Sequence, residues 1–459
     1  MTYDYLILDA SSGTPLYQQL YLTIRAAIEA GHLAKGERLP SIRKLAEDLK
    51  LSCTTVENAY QQLCVEGYIQ SRPQRGYFVL TAAHDDAGRQ KPRRVGTLPP
   101  SRPAIRYNFG SDCVDSDNID IKIWRRHIRD VLNRQEVIAG YGEHQGERAL
   151  REALSAYSYS VRGVVASPEQ IVIGAGTQPL LTILCGLLNG HDKHVAMEEP
   201  GFLQAEQVFS DCGLSVLHLP ADESGIRMDT LTESGAKLLF ISPSNRIQTG
   251  ASLPMGRRFE LLNWAQESGA IIIEDDYNGE LRYNARPIPA MQSMAGGENI
   301  VYIGSFSKLL LPSVRVGYMV LPENLLERYR ARANRYNQTA SKIEQLALSN
   351  YVKSGQLERH LRRLRKLYAA KSTALIKALK NAFGDTVEIL LEETLLYLIL
   401  DVKTDRPSQE LCSLAAGKGV RTMPPQEGTS KVMLGFAGIP LREISAAVEC
   451  LKSAWLAGS

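Results

Sequence analysis

The 459-residue sequence predicts an α/β protein in two parts: a small N-terminal module, then a larger body with a mostly parallel sheet and a smaller α+β lobe. Residues 1–80 show helical periodicity followed by a hairpin pattern. Strand and helix patterns alternate from about 107 to 330 and indicate the parallel sheet. Shorter strands with two helices, from about 340 to 459, indicate the small lobe. Residues 81–106 hold six basic and two acidic residues and four prolines, and they predict a basic linker.

Composition excludes several classes of protein. The seven cysteines form no Cys-x-x-Cys pair and the eight histidines lack metal-ligand spacing, so we expect no metal site and no disulfide framework. No apolar run approaches the roughly 18 residues of a membrane helix, and no signal-peptide pattern opens the chain. We therefore expect a cytoplasmic protein without a membrane partner.

The N-terminal module follows a recognisable order of caps. Thr14-Pro15 predicts the start of a first helix, and Ser41 and Ser52 predict the caps of a second and a third. Strand-like residues 68–71 and 77–80 then predict a hairpin. This order is that of a winged helix-turn-helix, which binds DNA. A packing module without DNA is the alternative that periodicity leaves open.

The amino-acid sequence of the module favours the DNA-binding alternative over the packing module. The stretches 39–46, 54–56 and 59–63 resemble the GntR-type DNA-binding domain, and the likeness covers residues 14–80. The resemblance implies that Arg38 and Arg43 bind DNA phosphates and that Thr54 and Thr55 enter the major groove. It also implies that the wing tip is formed by Gln74, Arg75 and Gly76. Cys53 and Glu57 depart from the family pattern and remove potential groove contacts, which leaves the target sequence open.

The body is organised around the stretch 304–318. An apolar strand at 300–303 leads into Ser305, Lys308 and Arg315. Apolar neighbours favour a neutral lysine amine, the nucleophile for a Schiff base, while the hydroxyl and the guanidinium suit a phosphate ester. An ordinary strand-end lysine is the alternative for an isolated Ser-x-x-Lys. The whole string resembles the pyridoxal-phosphate lysine segment of fold-type-I aminotransferases.

Two more strand ends support that resemblance. The strand 270–274 ends in Asp275 and Tyr277, a carboxylate for a pyridine nitrogen and a phenol for a ring oxygen. The strand 170–173 opens into a glycine-rich turn before an apolar helix, where backbone N–H groups can meet a phosphate. All three loops follow strands at their carboxyl ends, where open α/β sheets bind ligands.

A GntR-like head joined to an aminotransferase-like body is identified as the hallmark of the MocR family of bacterial regulators. Residues 141–146 and 434–436 also look like family signatures. The resemblance implies that Lys308 forms the internal aldimine with pyridoxal 5'-phosphate. It also implies that Asp275 pairs with the ring nitrogen, that Tyr277 hydrogen-bonds the ring oxygen and that Phe202 stacks on the ring. The phosphate would be held by Gly176, Thr177, Ser305 and Arg315. For Phe202, a core aromatic is the alternative.

One departure concerns the substrate. Aminotransferases carry an arginine for the substrate carboxylate where this chain has Met433. Either Arg246 or Arg421 binds an effector carboxylate from a different angle, or the effector is not an ordinary amino acid. Farther along, a long basic helix is predicted over 356–382, with His360 on its surface.

Two functions remain open at this point. The first is a DNA-binding transcriptional regulator that senses pyridoxal phosphate, or its aldimine with an amino compound, through a body with weak or vestigial transaminase activity. The second is a working aminotransferase that carries a DNA-binding head. The first is favoured because the usual carboxylate clamp is absent. Expected partners are a double-stranded DNA operator, a second copy of the chain and a small amine or vitamin B6 effector. The sequence does not identify the amine, the operator, the regulated genes or the sign of regulation.

Overall fold

The computed structural model describes residues 8, 13–80, 105–110, 113–115, 117–188, 193–199, 201–246, 251–283, 288–294, 297–391, 396–424 and 429–456. The chain divides into two compact units, Met1–Ser101 and Arg102–Ser459. Most of the predicted linker, residues 81–104, lies outside the described residues.

The helices are α1 Leu16–Glu29, α2 Ile42–Leu49, α3 Cys53–Val65, α4 Ile121–Leu132, α5 Gln135–Ile138, α6 Arg148–Arg162, α7 Thr177–Leu187, α8 Leu203–Asp211, α9 Met228–Glu233, α10 Met255–Ser268, α11 Met291–Met294, α12 Glu323–Arg330, α13 Lys342–Lys353, α14 Gln356–Phe383, α15 Ser408–Gly417 and α16 Ile444–Trp455. The strands are β1 Ile69–Arg72, β2 Gly76–Val79, β3 Tyr107–Asn108, β4 Ile171–Gly174, β5 His194–Glu198, β6 Ser215–Leu219, β7 Ala221–Asp222, β8 Gly225–Ile226, β9 Leu238–Ile241, β10 Ile271–Asp276, β11 Ile300–Ser305, β12 Gly317–Val320, β13 Val387–Leu391, β14 Tyr397–Val402, β15 Val420–Arg421 and β16 Lys431–Gly435.

The first unit packs α1, α2 and α3 around a small apolar core that includes Leu20, Val56 and Tyr60. Caps fix the two helices of the turn: the Ser41 hydroxyl accepts from the N–H of Lys44 at 3.2 Å, and the Ser52 hydroxyl caps α3 in the same way. Helix α1 begins one residue later than the sequence predicts, with Pro15 rather than Thr14 at the cap position and no side-chain cap.

Strands β1 and β2 form the predicted antiparallel hairpin, with Arg72 opposite Gly76. The turn between them needs left-handed backbone at two positions, Gln74 with φ 59° and Gly76 with φ 97°. Glycine adopts such angles without a steric penalty, which suits Gly76 to this turn of the wing.

The second unit is built on a seven-stranded sheet in the order β4-β12-β11-β10-β9-β5-β6. Within it β12 alone runs antiparallel to its neighbours β11 and β4, and the other pairings are parallel. Successive residues of β10 point to opposite faces, so Ile272 and Ile273 enter two different apolar cores. The predicted α/β class with a mostly parallel sheet is confirmed.

A smaller antiparallel sheet, β13-β14-β16, forms the small lobe. Leu398 and Leu400 of β14 face the main core, which includes residues of α14 and α16. The short strand β15 pairs in parallel with β3, so the segment 107–108 joins the small lobe rather than opening the large one as the sequence predicts. A two-residue strand whose partner lies some 300 positions away carries no local signal.

The surface position predicted for His360 is wrong. Its side chain is fully buried in α14, because it lies three residues after Leu357 and four before Leu364, on the same helix face as both. In the part of the chain that the structure describes, no helix combines the length and apolarity needed to cross a bilayer. The same residues include no group of three or more potential metal ligands.

Candidate functional site at the carboxyl edge of the large sheet

The register of the large sheet brings the predicted site loops to one edge. Asp276 lies opposite Gly304, Ser305 lies opposite Gly317, and Gly317 in turn lies opposite Gly174. The parallel strands β4, β10 and β11 therefore end side by side, and the antiparallel strand β12 begins at the same edge. This edge is where open α/β sheets hold ligands.

Lys308 lies in the turn that follows β11. Its side chain is half-buried, while the neighbouring Phe306, Leu309 and Leu310 are buried. The Lys308 ammonium nitrogen lies 5.8 Å from the centre of the Tyr277 ring, close enough for a cation–π contact. The structure thus brings together the lysine and the phenol that the sequence selects from different strand ends.

Asp275 lies at this edge as a buried carboxylate with one oxygen that has no hydrogen-bond donor. Its side chain is 3% exposed, and its Oδ1 atom accepts no hydrogen bond. Burial, together with the neighbouring charge of Asp276, raises the pKa of Asp275 to about 7. An unpaired buried carboxylate is costly, and a protonated heterocyclic nitrogen would supply the missing donor and positive charge.

Asn245 is a site residue that the sequence analysis misses. It follows β9, is 1% exposed, and has no hydrogen-bond partner for either its amide nitrogen or its amide oxygen. The Tyr277 hydroxyl donates to the backbone oxygen of Asn245 at 3.3 Å. Enclosure raises the pKa of the Tyr277 phenol well above its usual value, and Tyr397 adds to this shift. The sequence signal for it is weak, since Asn245 lies four residues beyond the end of the buried strand β9.

A cradle for an anion lies at the start of α7. Gly176 caps this helix with φ 99° and ψ −174°, and a Cβ atom there would come within 3.2 Å of Arg315 Nη2. Thr177 is the first residue of the helix. The exposed Arg315 donates from Nη2 to the backbone oxygen of Ala175 at 3.1 Å. A helix N-terminus beside an arginine favours a phosphate.

The remaining cofactor candidates have contacts within the protein. The Ser305 hydroxyl accepts a hydrogen bond from the N–H of Ser307 at 3.3 Å. Phe202 lies at the cap of α8 and stacks on Phe240, with ring centres 6.5 Å apart and 13° between the ring planes. It is half-buried and packs against the core, as the core-aromatic alternative requires. The stacking of Phe202 on a cofactor ring remains a prediction.

Arg246 does not present a free guanidinium to the site. It is 2% exposed, its Nε donates to Glu198 at 2.9 Å, and its two terminal nitrogens donate to backbone oxygens at 2.8 and 3.0 Å. This side chain ties the loop after β9 to the end of β5 and to the β7–β8 turn, which argues against the effector-carboxylate role considered for it. The other effector candidate, Arg421, is half-buried in β15.

The predicted DNA contacts gather on the first unit. The side chains of Arg38, Arg43 and Thr54 are exposed, as are those of Gln74 and Arg75 at the wing tip. Arg38 adjoins the wing, because a Cβ atom on Gly76 would lie 3.6 Å from its Nε. Thr55 differs from the others: it is half-buried, and its hydroxyl lies 2.8 Å from that of Ser52 within the α3 cap.

Comparisons with known proteins agree with both parts of the chain. Residues 16–79 match the family described as "Bacterial regulatory proteins, gntR family", and residues 107–449 match "Aminotransferase class I and II". The HTH-type transcriptional regulator YdeL of Bacillus subtilis is 36% identical over 96% of this chain and 97% of its own. The probable rhizopine catabolism regulatory protein MocR of Rhizobium meliloti is 31% identical over 98% of this chain and 96% of its own. The chain belongs to the MocR family of transcriptional regulators.

The fold of the second unit of this MocR-family regulator has solved neighbours. A kynurenine aminotransferase from Pyrococcus horikoshii matches with a TM-score of 0.66 and 23% identity, covering 77% of this chain and 91% of the other. At that identity the match shows the fold of an aminotransferase, which confirms the predicted fold type.

The aminotransferase class I and II family depends on pyridoxal phosphate, and the residues of this MocR-family chain fit that cofactor. The unpaired oxygen of Asp275 and the unpaired amide of Asn245 are buried acceptors and donors near Lys308 and Tyr277. The anion cradle at Gly176 lies on the same sheet edge, two strands away from β11.

Proposed function

We propose that this MocR-family regulator binds pyridoxal phosphate through Lys308, and that the cofactor or an amine that reaches it changes the protein's affinity for its operator. The observation that carries the proposal is the pair of unpaired buried groups, Asp275 Oδ1 and the Asn245 amide, beside the Lys308–Tyr277 contact. Buried polar groups are nearly always hydrogen-bonded in native proteins, so two such groups near one lysine point to a ligand.

Each residue has a distinct task in this proposal. Asp275 would keep the ring nitrogen protonated, and Tyr277 and Asn245 would hydrogen-bond the ring oxygen. Arg315 and the N–H groups at the start of α7 would hold the phosphate, with Ser305 beside them. When bound, pyridoxal phosphate supplies an aldehyde that condenses reversibly with primary amines. Lys308 would hold the cofactor in the resting state through its amine, and its Nζ would take up the protons that an incoming effector ammonium gives up on replacing it.

The regulatory step follows from that exchange. Release of the Lys308 amine from the cofactor would change the charge and the contacts at the sheet edge. The cofactor-bound and released states of Lys308 would therefore differ in their interactions with the residues around the site. A ligand shifts a conformational equilibrium only through such a difference. The exposed basic residues of the first unit would bind the operator, and we further propose that the body forms a homodimer that presents two heads to paired half-sites.

Chemical trapping tests the proposal at its centre. Full-length protein loaded with pyridoxal phosphate is treated with borohydride and digested, and the Lys308 peptide should carry the mass of the reduced cofactor. Lys308→Ala should abolish both the mass shift and the visible absorbance. Lys237→Ala is the matched control, because the Lys237 amine donates to the backbone oxygen of Ser268 on the exposed surface. Cofactor trapped on another lysine, or none trapped at all, would contradict the proposal.

An active aminotransferase with a DNA-binding head is the second candidate, and one observation favours it: Lys308, Asp275 and Tyr277 all lie at the sheet edge. We expect weak or vestigial turnover. Rapid conversion of an amino donor to its keto acid by the full-length protein, with no effect of that donor on operator affinity, would favour the enzyme over the sensor.

A further inference from the structure

The small-lobe sheet has a second apolar face that is separate from the main core. Tyr397, Ile399 and Met433 are buried together in a small cluster, and Met423 packs against them. The strand register explains the grouping, because Ile399 lies opposite Met433 in β14 and β16, and Met423 pairs with Met433 from the other side. We call these four side chains the small-lobe cluster.

The small-lobe cluster adjoins the proposed cofactor site. Tyr397 is close enough to Tyr277 to raise the pKa of its phenol, and Tyr277 in turn contacts the Lys308 amine. The Tyr397 side chain is 6% exposed, yet its hydroxyl has no hydrogen-bond partner. Ligand sites are mostly apolar and carry a few polar groups, and the Tyr397 hydroxyl is such a group with its hydrogen-bonding capacity unused.

The charges around the cluster decide what it can hold. Its own side chains carry none. Arg246 is committed to Glu198 and two backbone oxygens, and Arg421, two residues before Met423, already has an interaction of its own. A carboxylate pressed against Met423 and Met433 would lose its hydration without gaining a charged partner from the cluster.

Resting on the proposed function, we infer that the effector is a primary amine with an apolar body and no carboxylate on the carbon that bears the amine. Its apolar body would pack against Ile399, Met423 and Met433, and the Tyr397 hydroxyl would supply the polar contact. Because thioether side chains adapt their shape, the cluster should accept linear and aromatic bodies alike.

Matched pairs of amines test this inference without any variant. Full-length protein loaded with pyridoxal phosphate is titrated with 2-phenylethylamine and L-phenylalanine, and with pentylamine and L-norleucine, while the cofactor's absorbance is followed. Within each pair the two compounds differ only in the carboxylate. We expect the compound without it to bind about tenfold more tightly or better, since a charged group buried without a partner loses at least that much. Equal binding, or tighter binding of the amino acid, overturns the inference.

A gain of function strengthens the test. Met433→Arg should reverse the preference within each pair by placing a cation in the cluster, and Met433→Leu, which keeps the cluster apolar, should leave it unchanged. Arg421→Ala separates the two possible sources of charge: we expect no change in preference, and a collapse of amino-acid binding in this variant would assign the carboxylate to Arg421 and overturn the inference.

The same titrations distinguish this inference from the proposed function. If the Lys308 adduct does not form, the proposed function fails and the effector class falls with it. If the adduct forms and every amino acid binds as well as its matched amine, the proposed function stands and only the effector class is overturned.

Discussion

Arg162 and Asp276 form an ion pair whose side chains are 1% and 0% exposed, with 2.6 Å between Nε and Oδ2. The same guanidinium donates to the hydroxyl of Ser244, and Tyr302 donates to Asp276 at 2.8 Å. Asp276 follows Asp275, and Ser244 precedes Asn245. One arginine at the end of α6 therefore ties together the end of β10 and the loop after β9, which carry the unpaired groups of the proposed cofactor site.

Removal of that arginine should destabilise the second unit strongly. Arg162→Met leaves Asp276 buried without its charged partner, which typically costs about 3–5 kcal/mol in the free energy of unfolding. Denaturant unfolding of the cofactor-free protein measures the loss. Arg162→Lys, which keeps the charge but not the fork, should recover only part of the stability and should still bind pyridoxal phosphate less tightly than the wild type.

The control for this prediction lies on the same helix. Arg148 pairs with Glu152 at 3.0 Å, but both side chains are exposed. Exposed pairs of this kind contribute little, so Arg148→Met should leave both the unfolding midpoint and cofactor affinity almost unchanged. Equal losses in the Arg148 and Arg162 variants would show that the buried pair has no special role.

The raised pKa of Asp275 predicts how stability depends on pH. The folded pKa of about 7 lies above the ordinary value for an aspartate, so folding favours the protonated form. That contribution is complete below about pH 4 and is lost as the pH rises through 7. In the cofactor-free protein, Asp275→Asn should therefore reduce the fall in stability between pH 5 and 8. It should not abolish that fall, because burial also raises the pKa of Glu274 and of Glu280 to about 7.

A second aspartate serves as the comparison for that measurement. Asp229, paired with Arg227 on the surface, has a pKa lowered to about 2, chiefly by its hydrogen bond to that arginine. Its protonation lies outside the range tested, so Asp229→Asn should leave the slope between pH 5 and 8 as it is in the wild type. A wild-type slope that survives in Asp275→Asn would show that Asp275 does not titrate in this range.

The wing should contribute to DNA binding through charge. Arg75 is exposed at the wing tip, and its loss in Arg75→Ala should weaken binding to all sequences and lower the slope of log affinity against log salt by about 1. Arg25→Ala is the control, because Arg25 already pairs with Glu29 at 2.8 Å. Fluorescence anisotropy at several salt concentrations gives both quantities. An unchanged salt slope for Arg75→Ala would remove the wing tip from the interface.

The fold and the main site residues could be predicted from the sequence, because each depends on patterns of neighbouring residues. Asp275 and Ser305 lie at the ends of apolar strands and Lys308 follows one. Because the ends of parallel strands meet at one edge, their proximity could be predicted. The commitment of Arg246 to Glu198 could not, since nothing in either loop shows that β5 and β9 are neighbours. The importance of Asn245 depends on its missing partners, which only coordinates reveal.

Two heads on one dimer should raise operator affinity. With full-length protein, an operator that carries both half-sites should bind about 100-fold or more tightly than one with a scrambled half-site, because the second contact is intramolecular. Spacer insertions of half a helical turn should remove most of the gain, whereas a full turn should restore it. Equal affinity for single and paired half-sites would indicate independent heads.

The most direct test measures operator affinity, at one fixed salt concentration, for cofactor-free protein, cofactor-loaded protein and loaded protein with an apolar amine. Wild-type affinity should differ between at least two of these states by about 5- to 150-fold, the usual range of allosteric coupling. Lys308→Ala should show the same affinity in all three. Identical wild-type affinities in every state, despite cofactor trapped on Lys308, would contradict the proposal that this regulator senses through its aminotransferase-like body.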